Sequence, residues 1–192
     1  MSIVSQTLQG AVLSVTSNVL AQAISSYKDS TPFALNYATV FKFALFSILS
    51  TPPNILWQGY LEEKFPTNVP SVAAPTSEKP GSKADPTKTS LNKTNVFIKF
   101  LLDQTIGAVV NTLMFLSYMG YVNAQDKPGV NAMDAVTSDC MNKLWPMMKD
   151  GYKFWPAISL IGFLWVPVDK RVLFGCSVGV VWGIYLSLAV GA

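Results

Sequence analysis

The chain has 192 residues, half of them hydrophobic and 13% charged, with a mean hydropathy of +0.33; a soluble domain of this size cannot cover so much apolar surface, so the composition reads as a membrane protein. There is no histidine, there are two cysteines, Cys140 and Cys176, and the net charge of +3 comes from fourteen dispersed basic residues. This balance speaks against a disulfide framework, a zinc site, histidine acid–base catalysis and a nucleic-acid partner.

Charge-free runs mark candidate spans, because a helix needs about 20 residues to cross a hydrocarbon layer about 30 Å thick. Residues 2–27 carry no charge and no basic n-region precedes them, so they read as a retained first span rather than a signal or transit peptide. Residues 33–61 carry only Lys42 and form the second span, with a kink expected at Pro52-Pro53. Residues 66–94, rich in Pro, Ser, Thr and Lys, cannot bury a core and read as a flexible polar loop. Within it Asn92-Lys93-Thr94 fits a glycosylation sequon, a triplet frequent by chance. Residues 96–125 carry only Lys99 and Asp103 and form the third span. In residues 133–148 the spacing of Met133, Val136, Cys140, Leu144 and Met147 is helical, which suits an amphipathic helix on the membrane surface.

Residues 154–168 are apolar but hold Pro156 and Pro167, and Asp169-Lys170-Arg171 follows. Proline inside an apolar run at membrane depth points to a short or bent span, here one half of a helical hairpin with residues 172–191. The fold expected is therefore an all-α integral membrane protein, one domain over residues 1–192, with four to five transmembrane helices and a kinked C-terminal hairpin.

Three spans show a polar face. The first carries Asn18 and Gln22 beside small residues, the second Ser47, Ser50, Asn54 and Gln58, the third Gln104, Gly107, Asn111 and Tyr118. In a bilayer such faces meet each other in a hydrogen-bonded seam or line a wet cavity. Lys42 and Asp103 would each cost about 2.5–3.5 kcal/mol if unpaired at the bilayer centre. The sequence leaves open a Lys42–Asp103 pair, an Asp103–Lys99 pair one turn apart, and lysines that snorkel to headgroups. Asn18, Gln22, Lys42, Lys99, Asp103, Gln104 and Asn111 are the candidate pore or seam residues. On the last helix Gly175, Gly179, Gly183, Ser187 and Gly191 recur every fourth residue, a stripe that admits a close helix, either within the bundle or from a second copy. Arg171 stands at a helix start, where the dipole disfavours a cation, so carbonyls freed by Pro167, Asp169 or a lipid phosphate are its expected holders.

The run from Trp155-Pro156 through Phe163, Val166-Pro167 and Arg171, followed by Trp182, Tyr185, Leu186 and Ser187, resembles the C-terminal signature of the 22-kDa peroxisomal membrane protein family and its mitochondrial inner-membrane relatives. Lys99, Asp103-Gln104, Pro52, Trp57 and Gln22 extend the resemblance over most of the chain outside residues 66–94. Ser159 and Gly162 stand where the family has Gln and Asn, and Ser17-Asn18 where it has Gly-Asp. The resemblance implies a multi-pass protein of the peroxisomal or mitochondrial inner membrane. It implies first a weakly selective channel for small solutes, with a non-conducting membrane organiser as the alternative; in that second case the small-residue face would serve oligomerisation and the long loop the recruitment of protein partners. No cofactor, metal or enzymatic activity is expected, since Glu62-Glu63 is the nearest approach to paired catalytic carboxylates and reads as part of the loop.

Overall fold

A computed structural model describes residues 2–70 and 89–189. Helix α1 (Ile3–Lys28) starts at Ser2, whose hydroxyl accepts from the Ser5 amide, and ends at Ser30 in the left-handed region with φ of 53°. That conformation lets the Thr31 amide reach back to the Ser26 carbonyl at 3.0 Å and close the helix end. Helix α2 (Tyr37–Lys64), capped by Asn36, runs on through Pro52 and Pro53. The missing proline amides are accompanied by local side-chain bonds: Thr51 donates to the Ser47 carbonyl at 2.6 Å and Asn54 to the Ser50 carbonyl at 2.9 Å.

Strands β1 (Asn68–Pro70) and β2 (Thr89–Leu91) pair antiparallel, with Asn68 opposite Leu91. The two ends of the polar stretch at residues 66–94 are thus tied together, and residues 71–88 of that stretch lie outside the described residues. Asn92 of the sequon serves as the N-cap of α3 (Lys93–Leu102), accepting from the Asn95 amide. Helix α3 continues through a π turn (Asp103–Gly107) into α4 (Ala108–Gln125), giving 33 uninterrupted residues. Among the described residues this is the one helix both long and apolar enough to cross a membrane. Of the four to five spans expected from charge-free runs, this one is a clear candidate among the described residues. Helices α1 and α2 have the length to cross and carry Ser, Thr, Asn and Gln among their apolar residues.

Helix α5 (Ala132–Gly151) turns back along α4, and α6 (Trp155–Trp165) is followed by α7 (Val168–Ala189). At about 1.5 Å per residue the eleven residues of α6 reach about half-way across a bilayer. Val166, extended before Pro167, ends α6 as a residue preceding proline should. The chain then folds back, so that Phe154 stacks on Trp182 at 5.2 Å and Trp155 lies 6.2 Å from the same ring. The expected hairpin is present, closed by two tryptophans of the signature.

Helix α1 packs along α2 and α7, while α4 packs along α5. Gly10 is the close point of the first group: a Cβ there would lie 3.1 Å from the Thr51 hydroxyl and 3.5 Å from the Cys176 sulfur. Gly175 and Gly179 of the small-residue stripe face open space, with no atom of the described residues within 4 Å of an added Cβ, so they make no tight helix contact among the described residues. The side chains of residues 183–189, and Gly191, lie outside the description. The buried apolar core is small, Leu61, Val96 and Phe163 with Trp57, Phe100, Leu102 and Leu164 around it, and Val4, Leu8, Val12, Phe41, Leu56, Phe97 and Trp165 point outward. So much exposed apolar surface suits a lipid surround.

Candidate functional site: a polar seam between two groups of helices

Helix α2 meets the α3–α4 helix antiparallel, and the join is made by polar side chains at successive levels. At one end the Lys42 ammonium contacts Asp126 at 2.6 Å and Asn123 at 3.0 Å. Next comes an aromatic block: Phe46 lies edge-on to Phe115 at 5.3 Å and 5.4 Å from Tyr118, whose hydroxyl donates to the Lys42 carbonyl. Deeper, Asn54 and Asn111 exchange amide hydrogen bonds of 2.7 and 3.0 Å, and each also donates to its own helix, to the Ser50 and Gly107 carbonyls.

At the π turn the Asp103 carboxylate accepts from Ser159 at 2.6 Å, Gln58 at 3.1 Å, Trp57 at 3.3 Å and Gln104 at 3.4 Å. All four donors are neutral. A π turn re-aims side chains by one residue, a device common at functional positions. Gly107 leaves room for this arrangement, since a Cβ there would stand 2.9 Å from the Trp57 indole nitrogen. The Gln104 carbonyl also accepts from the Tyr152 hydroxyl at 2.8 Å, fastening α5 to the same level.

At the far end Glu62 joins Lys99 at 2.6 Å and Arg171 at 2.7 Å. The Thr67 hydroxyl is bonded by Lys99 and donates to Glu62, and the Thr67 amide reaches the other Glu62 oxygen at 2.7 Å. Arg171 also donates from Nε to the carbonyls of Gly162 and Val166 at 3.1 and 3.0 Å. Both cations lie over the Phe163 ring, 5.3 and 5.1 Å from its centre, where the π face is attractive. The Lys99 side chain is fully buried and that of Arg171 is 7% exposed, so one carboxylate compensates two buried cations. Glu62 lies just past the uncharged stretch of α2. Burial pushes its carboxyl up, but hydrogen bonds from Lys99, the Thr67 amide and Arg171 outweigh that and bring it from 4.5 down to about 2.

Lys42, Asp103 and Asn111 meet across this join, and the Gln104 side chain donates to Asp103 beside it. Lys42 and Asp103, however, lie at different levels and form no pair; Asp126 takes the lysine. Lys99 pairs with Glu62 rather than with Asp103, because Glu62 belongs to α2 and not to the loop. Asn18 and Gln22 are outside the seam: Gln22 accepts from the Asn36 amide at 2.7 Å and donates to Asn18 at 2.8 Å, which fastens the turn between α1 and α2. Arg171 takes the carbonyls of Gly162 and Val166 rather than that of Phe163, the one a missing Pro167 amide would free, and Glu62 is its carboxylate partner. Glu62, Thr67 and Ser159 were missed; the four-residue spacing of Asn54, Gln58 and Glu62 on α2 is the signal that points to the first. The stripe on α5 turns toward α4, with Val136 beside Gly120 and Cys140 3.6 Å from the Ser117 hydroxyl.

An apolar-surfaced helical protein whose helix groups are joined by polar side chains suits a membrane surround. Residues 130–187, which hold α5, α6 and most of α7, carry the domain of the Mpv17 / PMP22 family. The chain is similar to PXMP2/4 family protein 3 of Dictyostelium discoideum, 28% identical over 94% of this chain and 80% of that protein. It is similar also to Protein sym1 of Schizosaccharomyces pombe, 27% identical over 78% of this chain and 59% of that protein. Peroxisomal membrane protein 2 of Bos taurus is 23% identical over 92% of this chain and 76% of that protein. No solved structure matches. Of the two departures from that C-terminal signature, Ser159 donates to Asp103 through its side chain, whereas Gly162 meets Arg171 through the backbone carbonyl that any residue supplies.

Proposed function

We propose that this chain is a multi-pass organelle-membrane protein that gives small polar solutes a path along the α2–α4 seam, and that the structure holds the path closed. The observation that carries this reading is the seam itself. Polar groups recur at four levels between two helix groups, from Lys42–Asp126 through Asn54–Asn111 and Asp103 to Glu62–Lys99–Arg171, with one aromatic block between the first two levels. Side chains that pair across such a join can exchange their partners for water or solute when the helices separate, and an aromatic constriction is a barrier that opens by small ring movements. The similarity to a bovine peroxisomal membrane protein supports the location.

The test ties α2 to α4. In a background with Cys140→Ser and Cys176→Ser, Asn54→Cys and Asn111→Cys are combined and the protein is placed in liposomes loaded with small solutes. A thiol-specific cross-linker of short span stops the flux of the double variant and leaves either single variant unaffected. Unchanged flux after cross-linking overturns the seam as the path, and solute-tight liposomes of the uncross-linked protein favour the non-conducting scaffold.

A further inference from the structure

Where α4 ends and α5 begins, a half-open pocket of about 270 Å³ adjoins the Lys42 end of the seam and shares Asn123 with it; Lys127, Val130, Ser138, Asp139 and Lys143 also line it. Its size is below that of a drug-sized cavity and suits a small polar group. The Lys143 ammonium is held by Asp139 at 2.7 Å, whereas Lys127 forms no ion pair among the described residues. The lining therefore carries one uncompensated positive charge. The N-terminal turn of α5, with Ala135 in the wall, presents the positive end of a helix dipole that Asp134 in the same turn offsets, so the net charge of the lining rests on Lys127. Ser138 brings a hydroxyl, and Asn123 commits its carbonyl oxygen to Lys42, which leaves its amide group as a donor.

We infer that this pocket binds the phosphodiester of a phospholipid headgroup, with Lys127 as the charge partner and Ser138 and Asn123 as hydrogen-bond donors. One negative charge matches the one uncompensated cation. Position selects a lipid over a soluble phosphate. The pocket sits at the end of the 33-residue apolar helix, at the level where Lys42 and Asp126 also stand, which is headgroup depth for a helix that crosses. Val130 in its wall is 45% exposed and offers apolar surface to an acyl chain.

The full chain, purified in a phosphorus-free detergent, is titrated with a short-chain phosphatidyl lipid and separately with inorganic phosphate, and bound species are read by native mass spectrometry. One phospholipid binds per chain. Lys127→Ala weakens binding about tenfold, the loss of one charge-assisted hydrogen bond; Lys127→Arg restores it, and Lys149→Ala, an exposed lysine of α5 outside the pocket, leaves it unchanged. Ser138→Ala, which removes no charge, gives a smaller loss in the same direction. Equal binding by the parent and Lys127→Ala overturns the site, as does an equal loss in Lys149→Ala. Binding of inorganic phosphate as tightly as the lipid overturns the lipid assignment.

Discussion

Replacing Glu62 by Gln keeps the size of the side chain and removes the one negative charge that Lys99 and Arg171 share. Lys99 is fully buried and Arg171 nearly so, so neither cation can turn to water. Removing one partner of a buried pair costs about 3–5 kcal/mol, because the charge left behind is uncompensated. For a chain of this length that corresponds to a fall in Tm of about 6–20 °C. Thermal unfolding in a single detergent, followed by tryptophan emission, measures it. Adding Lys99→Met to Glu62→Gln removes one stranded cation and recovers part of the loss. The pH dependence supplies a second reading. The Glu62 carboxyl is held down at about 2 against an ordinary 4.5, so its stabilisation is complete above the ordinary value and is lost as pH falls from there through 2. The Tm gap between parent and Glu62→Gln is therefore constant near neutrality and closes below pH 4.5. A Glu62→Gln protein that melts within 2 °C of the parent at pH 7, or a gap that widens on acidification, refutes the reasoning.

Arg171→Lys keeps the charge but cannot hold Glu62 and the carbonyls of Gly162 and Val166 at once, and is expected to cost about 1.5–3 kcal/mol, while exposed Lys170→Ala stays within about 0.5 kcal/mol in the same melting assay. Gly107→Ala brings a methyl to 2.9 Å from the Trp57 indole nitrogen and is expected to destabilise by about 1–3 kcal/mol, whereas Gly175→Ala, which meets open space, does not destabilise. Asn111→Leu strands the Asn54 amide at a cost of about 1–3 kcal/mol, and Asn54→Leu with Asn111→Leu recovers most of it; a double variant no better than the single one speaks against the pair.

Amphipathic and charge-free runs were enough to locate most helices and the hairpin break at Pro167, because a period of 3.6 residues and a proline without an amide act locally. The C-terminal signature was legible for a similar reason: Trp155, Phe163, Arg171 and Trp182 are large or charged residues at fixed offsets, and the fold brings each to another signature residue or to the charged cluster it serves. Partner choice was not legible. Lys42, Lys99 and Asp103 could be ranked as costly at membrane depth from sequence alone, but which carboxylate meets which lysine depends on the register between α2 and the α3–α4 helix. That register places Glu62 rather than Asp103 against Lys99, and the π turn sets where Asp103 points. The glycine stripe shows the same division. Four-residue spacing defines a shared helix face, yet whether a neighbour occupies that face is a long-range outcome: Gly175 and Gly179 meet nothing within 4 Å among the described residues, while Gly10 on α1 meets Thr51 and Cys176. Local spacing thus determined which residues share a face, and only the packing of whole helices decided what each face touches.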